Sequence, residues 1–310
     1  MKVFVAGASG AIGRPLVRQL VEAGHEVTGT TRREERAAEM RDAGATAVVC
    51  DVFEAAALEA AVRAAEPEVV INELTSLPEE YNPKKIDYEP TNRVRTEGGG
   101  NLMRAALATG ARRYVTQSIA FLYAPEGNLI KDEEARPYDD APAPFDQGVK
   151  GMLSHESEVL GSEGIEGLVL RYGQFYGAGT YYDRGGSIER EVAKRRLPVV
   201  GSGTGIASFI HVEDAASATV AALDQGAPGI YNVTDDEPAA MREWLPVYAE
   251  AVGAKRPLKV PAWLARLVAG QLAVEFGVNL RGASNEKAKR ELGWRPRYAS
   301  WRQGFPEALG

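Results

Sequence analysis

A single cysteine, Cys50, stands among 310 residues, so an intrachain disulfide and a cysteine-rich zinc site are both excluded. A lone thiol fits a reducing compartment. Histidine is nearly as scarce. His25, His155 and His211 are widely scattered, and no metal-ligand spacing is legible. Long hydrophobic runs are missing, and no stretch approaches the roughly 20 apolar residues of a membrane span. The first apolar run, Val3-Phe4-Val5-Ala6, is closed by Gly7 and is too short for the core of a secretion signal. An excess of basic residues is absent too: 36 Lys and Arg oppose 43 Asp and Glu, a formal charge of −7. Such a surface would repel a phosphate backbone, which argues against nucleic acid as a partner. These absences lead us to expect a cytoplasmic protein with a small-molecule substrate, no membrane partner and no metal.

The remaining composition is that of a globular protein, 45% hydrophobic and 25% charged. Short apolar runs at 2–6, 26–30, 46–50, 68–72, 113–117 and 167–171 read as strands. Ala-rich amphipathic patterns near 12–23, 33–43, 54–65, 91–108 and 150–162 read as helices between them. Unbroken β-branched runs such as Val69-Val70-Ile71 suit strands buried on both faces. The expected fold class is therefore α/β, a Rossmann-type doubly wound parallel sheet. The expected dinucleotide-binding domain covers 1–172, with 206–236 returning to it. A smaller C-terminal substrate lobe takes 173–205 and 237–310, with helices near 239–252, 262–275 and 284–292. Two loops stand out. Residues 124–148 hold four prolines and carry acids at Asp132, Glu133, Glu134, Asp139 and Asp140, and 173–186 hold five glycines and four aromatic residues. Long irregular loops in compact domains tend to be functional.

Gly7-Ala8-Ser9-Gly10-Ala11-Ile12-Gly13 follows the first strand and opens the first helix. Gly7 permits the tight turn, Gly10 lets backbone approach a pyrophosphate, and Gly13 lets the helix pack on the strand. The free N–H groups and positive end of the helix then face the phosphates. The second strand ends Thr30-Thr31-Arg32-Arg33, with no acid before Glu34. An NAD site places a carboxylate there for the ribose 2′-hydroxyl, whereas a guanidinium fork suits a 2′-phosphate. NADP is therefore expected over NAD, read by Thr31, Arg32 and Arg33. Asp51 and Val52 follow the third strand. They fit an adenine edge and face, although Asp51 fits a helix-capping turn equally well.

These residues, together with Leu170-Arg171-Tyr172-Gly173-Gln174-Phe175-Tyr176-Gly177, Ser208-Phe209-Ile210-His211-Val212-Glu213-Asp214, Tyr231-Asn232-Val233 and Lys289-Arg290-Glu291-Leu292-Gly293-Trp294, resemble the extended short-chain dehydrogenase/reductase superfamily, specifically its NAD-dependent epimerase/dehydratase group. In that resemblance the last two segments fall in the C-terminal lobe. Leu74, Gln117 and Tyr172, at or just past the ends of the fourth, fifth and sixth strands, complete the expected cofactor contacts. The resemblance also implies a Ser or Thr after the fifth strand and a Tyr-x-x-x-Lys pair on the following helix, where residues i and i+4 share a face and the lysine lowers the phenol pKa. This sequence departs there. The tyrosine would fall near Gly148 or Val149 and the lysine near Met152 or Leu153. Ser118 is close to the hydroxyl position, which Ile119 or Ala120 more nearly occupies. A literal match at Tyr81-Asn82-Pro83-Lys84-Lys85 contains proline and follows the fourth strand, so we read it as a decoy.

Replacement proton donors are expected from other elements. Glu73 is an unusual acid just after the fourth strand, and burial would raise its pKa into the neutral range. Lys150 lies near the lost pair and could touch the nicotinamide ribose, or stand exposed at a helix start. Tyr81, Tyr181 and Tyr182 could reach a pocket from loops. Tyr123 and Tyr176 read as core aromatics, His155 as a solvent-facing or capping residue, and His211 as the holder of the late strand–helix junction. The expected function is an NADP-preferring oxidoreductase or epimerase acting on a small carbonyl, hydroxyl, C=C or C=N compound. Ala207-Ser208 lacks the basic residue that often precedes Phe209-Ile210-His211 in the family, which argues against a diphosphate sugar. A cofactor-binding sensor, or a non-redox enzyme that keeps the nicotinamide site, is the rival expectation. A homodimer through helices 91–108 and 150–162 would suit the resemblance.

Overall fold

The computed structural model describes residues 1–78, 80–82 and 86–310. Strands Lys2–Ala6, Glu26–Thr31, Thr46–Val49, Val69–Asn72, Arg113–Ile119, Glu166–Tyr172 and Gly229–Val233 form one parallel sheet. From one edge to the other the spatial order is seventh, sixth, fifth, fourth, first, second, third. The order reverses at Lys2–Ala6, which pairs with Glu26–Thr31 on one side and Val69–Asn72 on the other. A crevice opens beyond the carboxyl ends of the strands at such a switch point.

Both faces of the sheet are covered, which is why its strands read as continuous apolar runs. Val3, Val5, Val69, Ile71 and Leu168 pack with Leu16 and Leu20 of the helix Gly13–Glu22 and with Ala215 and Ala218 of the helix Val212–Ala221. Phe4, Val70, Tyr114 and Val169 face the other way, onto Leu58 and Val62 of Ala55–Ala65 and Leu102 and Ala106 of Gly99–Thr109. The alternation along each strand follows from the two-residue period of side-chain direction. A second apolar cluster is strongly aromatic: Tyr182, Phe209, Trp244, Tyr248, Trp301 and Phe305 meet beyond the sheet. Among the described residues no helix is long and apolar enough to cross a membrane.

Four elements differ from the sequence reading. The strand Gly229–Val233 puts Tyr231-Asn232-Val233 at the sheet edge beside Glu166–Tyr172, not in the C-terminal lobe. The helix expected at 91–108 is divided into Glu89–Arg93, a π-helical turn Val94–Gly98, and Gly99–Thr109. Close approach explains its glycines: a Cβ on Gly98 would stand 2.8 Å from Val52 Cγ2, and one on Gly99 2.9 Å from His155 Cε1. The helix expected at 150–162 starts at Phe145, straight after Pro144. Proline fixes φ near the helical value and needs no hydrogen-bond partner at a helix start. The helix expected at 262–275 breaks at Gly270, whose φ of +86° only glycine adopts readily.

Candidate active site

The glycine-rich turn sits at the switch point. Gly7 has φ +85°, and a Cβ there would lie 2.6 Å from the Glu73 carbonyl oxygen. A Cβ on Gly13 would lie 2.3 Å from the Gly7 oxygen, so the helix can approach only without one. Gly10 is different. It is exposed, and the nearest atom to its missing Cβ is the Gly7 oxygen at 3.3 Å. The space over Gly10 is therefore an open cradle at a helix N-terminus, bordered by Ser9 and Ala11, while Ile12 is buried beneath it. That geometry suits a pyrophosphate, so the residues present fit a dinucleotide.

The turn is tied to the second strand by Ser9 Oγ and Thr31 Oγ1, 3.1 Å apart. Thr31 Oγ1 also accepts from the Arg33 amide at 3.3 Å. Thr31 is thus buried and committed to this junction, while Arg32 and Arg33 are exposed. Nearby carboxylates are taken by other arginines: Glu34 by Arg41 and Glu39 by Arg36. Among the described residues neither Arg32 nor Arg33 is paired with a carboxylate.

The remaining sequence-predicted cofactor residues are largely occupied by the protein itself. Asp51 Oδ1 accepts from the Phe53 amide at 3.0 Å, the capping-turn alternative. Val52 is buried against Gly98, and its carbonyl accepts from Asn101 Nδ2 at 2.9 Å. Gln117 Nε2 donates to the Leu74 carbonyl at 2.7 Å, tying the fourth strand's exit loop to the fifth strand. Tyr172 is fully buried, so its phenol meets the core and not the crevice.

The Tyr172 hydroxyl donates to Glu73 Oε1 at 2.9 Å and lies 2.6 Å from Thr219 Oγ1. Glu73 Oε2 is buried without a partner. Burial pushes the Glu73 carboxyl up to about 8, opposed by the Tyr172 hydrogen bond. The acid is therefore largely protonated near neutrality, and its backbone borders the Gly7 turn. The sequence alone flagged Glu73 but gave no sign of Tyr172 and Thr219 as partners, because they arrive from distant strands and helices.

The helix Phe145–Gly161 carries the departure from the family pattern. Its orientation is fixed by a buried ion pair: Arg171 Nη2 and Nε donate to Glu156 at 2.6 and 2.9 Å. Ser118 Oγ donates to the same carboxylate at 2.6 Å and lies 3.9 Å from Met152 Sδ. Arg171 continues through Tyr123 to Asn232 by hydrogen bonds of 3.1 and 2.7 Å. One turn before Glu156 stands Met152, and one turn before that Gly148. Those two residues occupy the face where the phenol and lysine were expected.

The nominated donors are not gathered together. Lys150 is exposed and paired with Asp146 at 3.0 Å on the outer side of the helix. Tyr81 lies 5.9 Å from Tyr181, ring to ring, and its amide donates to Ser187 Oγ at 3.1 Å. Lys84, its partner in the literal motif, lies outside the described residues. Tyr182 is buried in the aromatic cluster, not free in a loop. Tyr123 and Tyr176 are core residues. His211 caps Val212–Ala221, accepting from the Glu213 amide at 3.2 Å. His155 corrects the sequence reading: it is buried, with Nε2 2.8 Å from Thr116 Oγ1, and burial holds it down at about 4.

Known proteins share this fold. A 3-diazoavenalumate denitrifying reductase from Streptomyces sp is 43% identical over 305 residues, covering 98% of this chain and 99% of that one. The UDP-glucose 4-epimerase of Thermus thermophilus in complex with NAD superposes with a TM-score of 0.73 at 25% identity, over 99% of this chain and 97% of that one. A human epimerase family protein with NADPH gives 0.75 at 19% identity, over 99% of each chain. The family model described as "NAD dependent epimerase/dehydratase family" matches residues 3–234, from the first strand through the seventh. With the glycine cradle, the reversed strand order and the sequence match spanning the same residues, this chain belongs to the NAD dependent epimerase/dehydratase family.

Proposed function

We propose that the chain is an NADP-preferring reductase of a small unsaturated compound. The open cradle over Gly10, with two uncommitted arginines at the end of the second strand, carries the reading. Arg32 and Arg33 would receive the 2′-phosphate, Ser9, Gly10 and Ala11 the pyrophosphate. The bound cofactor would supply hydride. A full-length relative named as a reductase supports this direction of reaction, and its printed substrate extends the classes to test from carbonyl and C=N compounds to aromatic diazo compounds. The hard redox step belongs to the cofactor, and the protein's part is to bind, orient and supply a proton where one is needed.

Titration of the parent, Arg32→Ala and Arg33→Ala with NADPH and NADH tests the cofactor choice. Each substitution should weaken NADPH by about 1.5–3 kcal/mol and NADH much less, since a charge-assisted contact is lost only with the phosphate. Equal weakening of both cofactors, or tighter NADH in the parent, would overturn the preference.

A further inference from the structure

The helix Glu89–Arg93 meets Phe145–Gly161 through two glycines. A Cβ on Gly148 would stand 2.6, 2.7 and 3.0 Å from Cε1, Cδ1 and Cζ of Tyr88. A Cβ on Gly151 would stand 2.2 Å from Asn92 Oδ1. Asn92 Nδ2 donates to the Gln147 carbonyl at 2.9 Å, which locks the two helices in this register. The ring of Tyr88 therefore fills the volume that a side chain at position 148 would take. It packs against the apolar cluster of Ala120, Leu122, Phe145, Val149 and Met152.

A cation accompanies it. Arg95, on the π-helical turn, is 6% exposed, and its Nη1 donates to Asn92 Oδ1 at 3.3 Å. No carboxylate pairs with it among the described residues. Asn92 in turn bonds the Gln147 carbonyl and lies against Gly151, which places the guanidinium beside the helix Phe145–Gly161. A buried cation without an anion is costly, and such groups cluster at functional sites.

We propose that Tyr88 is the proton donor of this enzyme and Arg95 its positioning cation, supplied by the two ends of the segment 88–95 that packs on the helix lacking the usual pair. The inference rests on the reductase reading. In a ketone reduced at carbon by hydride from the reduced nicotinamide, the C=O π electrons move onto oxygen. The Oη–H bond of Tyr88 breaks, and its proton passes to that oxygen. The phenolate left behind is balanced by Arg95 and regains a proton from water. The two electrons that the substrate gains would come from the bound reduced cofactor as hydride. Burial pushes Tyr88 up to about 12, opposed by Arg95, so the phenol holds its proton at neutral pH.

The test uses two substrate classes. A ketone needs hydride and a proton, whereas an aryl diazonium takes hydride and leaves as dinitrogen without proton uptake. Tyr88→Phe should lower turnover of the ketone by at least roughly a hundredfold, the usual value of general acid assistance, and the ketone loss should exceed the diazonium loss by at least about tenfold. NADPH binding, read by nicotinamide fluorescence, should be retained. Arg95→Met should act in the same direction, and Arg95→Lys should recover part of the ketone rate. Gly148→Ala, whose methyl displaces the ring without removing the phenol, gives a second variant with the same expected direction. Equal losses on both substrates, unchanged ketone turnover in Tyr88→Phe, or a parent that reduces only the diazonium would overturn the role of Tyr88 while leaving the reductase reading intact. A parent that binds NADPH and reduces neither class would overturn both.

Discussion

At Gly10 the missing side chain leaves the room that the proposed pyrophosphate contact needs, because among the described residues only the Gly7 oxygen, beyond the chain neighbours, comes within 4 Å of a Cβ there. Gly10→Val would fill the cradle and should abolish dinucleotide binding while the protein stays folded; fluorescence titration with NADPH beside a circular dichroism melt checks both halves. Glu73 makes a pH prediction. Its folded pKa is raised to about 8, above the ordinary carboxyl value of 4.5. The folded state then holds the proton more tightly than the unfolded chain, so stability should fall as pH rises from about 4.5 to about 8. Glu73→Gln keeps the acceptor for Tyr172 and removes that slope, so its melting temperature should gain on the parent's between pH 5 and pH 8 (both set by that window). Parallel curves would show that Glu73 does not titrate there. At this scale the sequence was legible where the chemistry is local: the glycine spacing and the paired arginines lie within single turns. Tyr88 was not legible, because its meaning depends on a glycine at 148 that only the folded chain brings to it.

The helix Phe145–Gly161 shows the same limit one level up. Its existence could be read from its pattern, but its start could not, since Pro144 was read as part of the loop. Its face could be located only through Glu156, whose partner Arg171 comes from the sixth strand. Removing one member of a buried pair leaves the other uncompensated, at a cost of about 3–5 kcal/mol. Glu156→Ala should therefore lose about that much in urea unfolding. Lys150→Met breaks an exposed pair on the opposite side and should change stability by less than about 1 kcal/mol. It should also leave turnover near the parent value, because Lys150 Nζ is held by Asp146 away from the Met152 face. A hundredfold loss of turnover in Lys150→Met, of the size general acid–base assistance gives, would return the lysine to the site. The division of the expected 91–108 helix was likewise hidden: a π-helical turn has no distinct periodicity, and here it is tied to Arg95 and the run Gly98-Gly99-Gly100.

Across the whole molecule, alternation of apolar runs with amphipathic helices was enough to read a doubly wound sheet, because strands buried on both faces are nearly uniform in sequence. The seventh strand escaped because it follows a stretch of lower regularity and pairs with the sixth across a long connection. The resulting topology puts the glycine turn and the arginines at the carboxyl ends of the adjacent first and second strands, while an aromatic cluster from the later chain stands beyond the sheet. This arrangement makes a single claim, that hydride passes from a nicotinamide to a small unsaturated molecule held at those strand ends. Incubation of the protein with NADPH deuterated at the transferring carbon, with ketone, enone, imine and aryl diazonium substrates, and mass analysis of the products tests it directly. The account predicts one deuterium from the cofactor in the product of at least one class. Tight NADPH binding with no deuterium transferred to any of them would contradict it and leave a cofactor-binding regulator in its place.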